Sequence, residues 1–334
     1  MLRFGLMRLF VIPIFVTLAA CVAAFFWGGY EALFLVILLA VLETTLSFDN
    51  AVINAKILAQ MSPLWQKRFL TWGIIFAVFG TRFVLPIIIV AVAVSLSPFA
   101  VAKLAFLDPA AYGAHIIDAH VAISAFGSAF LMLVSLKYFF NRAKTMHWIE
   151  AVEQRLSSWG RIEAIELALT LGVLLVCALF VPHEEAATLL IAGIVGVIIF
   201  VIMEGVTHSF SDATRHVASG GVALFIYLNV LDSAFSLDGV VGAFAVTNSL
   251  PVIIAGLGIG ALFVRTFTIA LVRAKTLSTL VYLEHGAHWA IFGLALAMIA
   301  GIFVDVPETV TGLVGFVFVG LSYLSSRKAR SAHI

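Results

Sequence analysis

Charge is what this sequence has least of. Only 11% of its residues are Asp, Glu, Lys or Arg, where a soluble domain carries roughly 25%. That scarcity, beside a hydrophobic share of 63%, excludes an ordinary water-soluble globule. Cysteine is nearly absent too. Cys21 and Cys177 both sit in apolar segments, which removes a disulfide framework and a thiolate metal site. Histidines at zinc-ligand spacing are also missing. A net charge of +1 gives no argument for nucleic acid.

What is present is a succession of apolar segments about 20 residues long, the signature of bilayer-spanning helices. The fold class predicted is all-α, a polytopic transmembrane helical bundle of about ten spans. They fall near 8–27, 31–59, 68–96, 119–141, 163–182, 186–205, 217–246, 252–271, 285–304 and 309–326. Leu18-Ala19-Ala20-Cys21 has the look of a lipoprotein cleavage box, but the apolar run continues through Trp27. A retained first helix is therefore expected.

Lys and Arg set the orientation. With both termini cytoplasmic, Lys103 is the one basic residue on the external side, and Arg82 and Arg265 fall within spans. The external connections 182–185 and 305–308 are acidic. The stretch Asn141–Glu166 is polar and basic, with Met146, Ile149, Val152, Leu156 and Trp159 at helical spacing. It reads as a cytoplasmic amphipathic helix on the lipid surface, or as a plain linker helix.

One motif is written twice. Leu42–Val52 and Leu231–Val241 share four of eleven positions, among them Ser47 with Ser236 and Asp49 with Asp238. Glu43 stands opposite Asp232, and Asn50 opposite Gly239. Ionisable residues inside spans are costly and by default functional. Further matches follow in order. Gly73 precedes Arg82 by nine residues, as Gly256 precedes Arg265, and Ala119–Ile123 resembles Ala287–Ile291 around His120 and His288. The topology gives the two motif spans opposite directions, so inverted three-helix repeats are expected, an arrangement typical of secondary transporters. The organisation predicted is an extra helix at 1–30, a first repeat at 31–141, an amphipathic linker with two spans at 142–216, a second repeat at 217–304, and a last span with a basic tail at 305–334.

On a straight helix six residues turn about 240° and rise about 9 Å, so Glu43 and Asp49 would point some 120° apart. Interruption of the helices near Asn50 and Gly239 is expected, because those residues tolerate irregular backbone. Carboxylate, hydroxyl and amide oxygens of Glu43, Asp49, Asp232, Asp238, Asn50, Ser47 and Ser236 suit Mn²⁺, Mg²⁺ or Ca²⁺. Four acids against Arg82 and Arg265 leave a charge near −2, which one divalent ion neutralises. The plainer alternative has the arginines pairing with the acids as interhelical glue. His120 and His288 are candidates for proton coupling. His285, His288 and Glu284 are candidates for a cytoplasmic entry patch, and Glu204 for a solvated interfacial residue.

The pattern Glu43-x-x-Leu46-Ser47-Phe48-Asp49-Asn50, followed by Asp232-x-x-x-Ser236-Leu237-Asp238, resembles the TerC family of integral membrane proteins, within the LysE-type transporter superfamily. The resemblance runs from about Glu31 to Arg327, and the extra N-terminal span and the pair at 163–205 suit a divergent branch. It implies divalent-metal homeostasis with manganese export, a link to tellurite resistance, the bacterial cytoplasmic membrane, and Glu43, Asp49, Asp232 and Asp238 as functional acids. The function expected is therefore a non-enzymatic exporter of a hard divalent cation, with no tightly bound cofactor. Two other classes stand beside it. One is a membrane scaffold recruiting cytoplasmic stress-response proteins through Asn141–Glu166. The other is an intramembrane aspartyl protease using Asp49 and Asp238, whose sequence context is absent.

Overall fold

A computed structural model describes residues 8–93, 96–212, 217–247, 249–274, 276–304 and 306–332. Among these residues the structure is helical, with no strand. Five helices are long and apolar enough to cross a bilayer, or up to six if one bent pair counts as a span. Three shorter apolar helices accompany them. Phe26, Trp27, Phe99, Leu179 and Phe180 stand exposed, a surface that water would disfavour and that hydrocarbon accepts.

Contacts divide the chain into two units, Met1–His120 with Phe210–Ala274, and Val121–Ser209 with Lys275–Ile334. The first unit holds α1 (Val11–Leu46), α2 (Phe48–Leu58), α3 (Pro63–Ile75), a π-helical segment (Phe76–Val84), α4 (Leu85–Ala93), α5 (Pro98–Leu107) and α6 (Pro109–Asp118). It closes with α11 (Val217–Val246) and α12 (Leu250–Arg273). The second unit holds α7 (His120–Phe139) from Val121 on, α8 (Glu150–Trp159), α9 (Ile165–Phe180) and α10 (His183–Asp212) up to Ser209. It ends with the short α13 (Thr276–Thr279), α14 (Leu283–Gly301) and α15 (Glu308–Ala332).

Two interruptions shape the first unit. Within α1 the helix breaks at Gly28 and Gly29, and Gly29 takes φ +68°, a conformation open to glycine and costly for other residues. The break separates the expected spans 8–27 and 31–59. The second interruption is a turn at Ser47 (φ −95°, ψ 16°) that parts α1 from α2. It lies three residues before the Asn50 position expected from sequence. The corresponding expectation at Gly239 fails, because α11 runs unbroken from Val217 to Val246. α11 has no proline at its centre, and in hydrocarbon an unbroken helix satisfies its backbone hydrogen bonds internally. The expected span 68–96 is itself bent, from α3 through the π segment into α4.

The motif helices α2 and α11 run in opposite directions. Gln66 Nε2 donates to the Leu58 carbonyl at 3.2 Å, which places the start of α3 against the end of α2. Trp65 meets Phe225 with ring centroids 5.7 Å apart, and Gly221 packs on the Trp65 indole. Later residues of α2 and earlier residues of α11 therefore lie at one end. At the other end Tyr112 of α6 packs edge-on against Phe244 at 5.4 Å, in a core with Val36, Leu39, Val240 and Ile253.

Glycine lets α12 close on α1. A Cβ at Gly256 would fall 2.6 Å from Leu39 Cβ, and one at Gly260 would collide with the Glu43 side chain. We expect Gly260→Val to cost about 1–3 kcal/mol by overpacking and to lower the unfolding midpoint in detergent. An unchanged midpoint would show that these helices separate freely.

In the second unit α8 leaves apolar side chains outward and turns one acid inward. Met146, Val152 and Trp159 of the apolar stripe stay exposed, whereas Glu153 is fully buried.

Candidate functional site

The last turn of α1, the start of α2 and the middle of α11 carry the duplicated motif, and Arg82 and Arg265 reach it from the π segment and α12. Glu43 Oε1 accepts from Ser47 Oγ at 3.0 Å and forms an ion pair with Arg82. Asp232 Oδ2 faces Arg265 Nη2 at 3.5 Å. Each motif's first acid is thus met by the arginine that follows it in the chain. A second relation crosses between the two motifs. Asn50 Nδ2 donates to Asp232 Oδ1 at 3.0 Å, and a Cβ on Gly239, the Asn50 counterpart, would lie 3.0 Å from Glu43 Oε2. Thr81 and Ser233 hydroxyls add a bridge of 3.2 Å.

Both arginines are tied to backbone as well. Arg82 Nη1 donates to the Ala77 carbonyl at 2.8 Å, and Arg265 Nη1 to the Phe69 carbonyl at 3.0 Å. The Arg265 guanidinium also lies 4.2 Å from the centre of the Phe69 ring. Buried ion pairs of this kind hold geometry, while loss of one partner strands the other charge. The interhelical pairing foreseen as the plainer alternative therefore operates for Glu43 and Asp232.

Asp49 differs. It is 3% exposed, no ion pair to it exists among the described residues, and its Oδ1 has no hydrogen-bond partner. Asn50 Oδ1 and Ser236 Oγ are likewise buried and unpartnered. The fourth acid, Asp238, falls on the unbroken α11, and its side chain lies outside the described residues. Among the described residues no three His, Cys, Asp or Glu side chains gather closely enough to hold a metal ion. An oxygen-rich site here would therefore draw on hydroxyls and carboxamides as well as acids.

The histidines part company. His120 opens α7 and belongs with the first unit, whereas His288 belongs with the second. His288 Nδ1 donates to the Glu284 carbonyl at 2.9 Å, and its ring stacks on Tyr138 at 3.7 Å. His285 is no entry-patch residue. It is buried and its Nδ1 lies 2.8 Å from Glu153 Oε2. Glu204 is not merely solvated, for Lys137 Nζ sits 2.6 Å from its carboxylate.

Glu153 is not legible in the sequence, because a lone acid on a polar helix reads as solvated. It gathers Lys144 Nζ at 2.8 Å, Trp289 Nε1 at 3.0 Å and the Trp148 amide at 3.2 Å, besides His285. Burial alone would raise its carboxyl, yet these donors outweigh burial and hold it well below the usual carboxylate range. A lowered folded value means stability that is present above the unfolded pKa of about 4.3 and fades as pH falls below it. Glu153→Gln should cost about 3–5 kcal/mol at neutral pH by stranding Lys144. It should also flatten the acid limb of a stability–pH curve between about pH 4.5 and 2. Thermal unfolding measured across pH checks both.

The family model described as "Protein of unknown function (DUF475)" matches residues 48–332. The chain belongs to that family. The DUF475 match covers Asp49, Asn50, Arg82, Asp232 and Arg265, and starts after Glu43. No curated protein and no solved structure matches the chain.

Proposed function

We propose that this DUF475 protein is a secondary transporter that exports a hard divalent cation, Mn²⁺ foremost, from the bacterial cytoplasm. The reading includes a TerC-like ancestry, ten spans, cytoplasmic termini and two inverted three-helix repeats. The observation that carries it is the crossed relation of the motifs, in which Asn50 bonds to Asp232 and Gly239 leaves room for Glu43. Each acid takes its own repeat's arginine, and each is approached by the seventh residue after the other acid. Such reciprocity is what a two-fold axis in the membrane plane produces. The antiparallel course of α2 and α11 supports the same axis, and five helices, or six with the bent pair, are long and apolar enough to cross a bilayer, with three shorter apolar helices beside them.

The mechanism follows from charge. Glu43 and Asp232 are neutralised by Arg82 and Arg265 when no cation is bound. A divalent ion arriving beside Asp49 finds carboxylate, carboxamide and hydroxyl oxygens, the donors that Mn²⁺, Mg²⁺ and Ca²⁺ accept. Its charge competes with the guanidinium groups for the acids. The arginines then supply the return cation that lets the ion leave. The work is binding and release, with no covalent step, and proton coupling through His120 and His288 belongs to this proposal.

Purified protein in proteoliposomes tests it, with flux of Mn²⁺, Ca²⁺, Mg²⁺ and Zn²⁺ followed in parallel. Saturable Mn²⁺ flux exceeding that of Zn²⁺ is expected. Flux no greater than that of empty vesicles for every ion would overturn the reading.

A further inference from the structure

Two asparagines outside the duplicated acids stand out. Asn54 of α2 is 0% exposed, and neither its Oδ1 nor its Nδ2 has a hydrogen-bond partner. Asn229 of α11 is 3% exposed. Its Nδ2 donates to the Phe225 carbonyl at 2.7 Å, which leaves its Oδ1 buried and unpartnered. A buried carboxamide without partners costs about 1–3 kcal/mol, and the two unpartnered oxygens are the atoms that a cation could bind.

Their positions are related. Asn54 lies one turn beyond Asn50, and Asn229 nearly one turn before Asp232. Asn50 and Asp232 are hydrogen-bonded and the two helices run oppositely. Both steps therefore lead the same way, toward the end marked by Trp65 and Phe225. The unpartnered oxygens form a layer directly beyond the Asn50–Asp232 pair.

The duplicated motif allows a comparison with the other end. The motif spacing that pairs Glu43 with Asp232 pairs Asn54 with Ala243 and Asn229 with Ala40. Both alanines are buried in the apolar core with Phe244 and Tyr112. Four layers thus follow one another along the helices: Ala40 with Ala243, Glu43 with Gly239, Asn50 with Asp232, and Asn54 with Asn229. One flank of the acids is sealed by hydrocarbon and the other is lined by carboxamide.

We propose that Asn54 and Asn229 form a second, uncharged station for a hard divalent cation, on the Trp65 flank of the acidic site. The proposal rests on the transport reading above and assigns the side from which the ion reaches the acids. Carboxamide oxygens are ligands for Mn²⁺, Mg²⁺ and Ca²⁺. Without net charge they bind weakly, which suits a station that must release the ion onward. The flank carries Lys56, Lys67 and Arg68 in sequence, the cytoplasmic side in the proposed orientation.

Asn54→Leu and Asn229→Leu replace the carboxamides by apolar groups of similar shape, which leaves folding neutral or slightly improved. The expected result is Mn²⁺ flux reduced at least about tenfold in each, the scale of one lost interaction with a charged group, at an unfolding midpoint no lower than wild type. Asn54→Asp provides a second readout, because a carboxylate in the station should enlarge the Mn²⁺-induced rise in the midpoint while slowing turnover. If wild type carries Mn²⁺ and both leucine variants carry it equally well, the station is overturned and the transport reading stands. If wild type neither binds nor carries any of the four ions, both fall. A fall in midpoint of Asn54→Leu without added metal, with flux per folded molecule unchanged, would show buried water serving structure alone and would also overturn the station.

Discussion

Asp49→Asn is expected to abolish Mn²⁺ flux while leaving the protein as stable as before, or more so. Asn keeps the shape of Asp and one ligand oxygen, and removes the charge that offsets dehydration of a divalent ion. Loss of a buried charge partner is worth about 3–5 kcal/mol, so a fall of at least about 100-fold follows at 1.4 kcal/mol per decade. The stability half has a separate cause. Asp49 is buried with Oδ1 unpartnered and no ion pair among the described residues, so neutralising it relieves a desolvation cost. A merely structural carboxylate would behave in the opposite way, losing stability on substitution. Flux assays paired with thermal unfolding in detergent separate the two. The same loss of flux is expected of Asp238→Asn, its motif counterpart. Full flux in both variants would sink the cation-site reading.

The acids, the arginines and the opposed direction of the motif helices are legible in the sequence because each departs from an apolar background. A carboxylate in a span is costly and so stands out, and nine-residue spacings such as Gly73–Arg82 repeat as letters. The backbone is legible only in part. Gly28 and Gly29 break α1 as a glycine pair permits, yet Gly239 does not break α11. Its role is spatial, for the missing side chain makes room for Glu43 Oε2. Propensity cannot distinguish a glycine that bends a helix from one that admits a neighbour. The partner decides, and the partner is nearly 200 residues away. The π segment at Phe76–Val84 holds a single glycine, Gly80, and Pro86 two residues beyond it removes a donor from the turn it ends. It is where Arg82 both caps Ala77 and meets Glu43, and π-helical turns often occur at functional sites. Asn54 and Asn229 are not legible, because single carboxamides in long apolar helices look like tolerated polar residues. Only the buried, unpartnered state of their oxygens gives them weight.

Arg82→Gln should be among the most destabilising single changes in the first unit, and Glu43→Gln added to it should restore much of the loss. Removing Arg82 leaves Glu43 buried with Ser47 alone, a cost of about 3–5 kcal/mol. Neutralising both partners leaves a pair of polar side chains that bond to each other or to backbone, so the double variant should recover most of that amount, as expected of coupled neighbours. Unfolding midpoints of wild type, both single variants and the double variant complete the cycle. Added Mn²⁺ then distinguishes glue from counter-ion. If Arg82 competes with the transported ion, Arg82→Gln exposes a carboxylate that the metal can claim, so Mn²⁺ should raise its midpoint more than it raises that of wild type. Release should slow correspondingly, because no tethered cation remains to displace the ion. If Arg82 only joins helices, Mn²⁺ will leave the deficit of Arg82→Gln unrepaired, and only Glu43→Gln will close it.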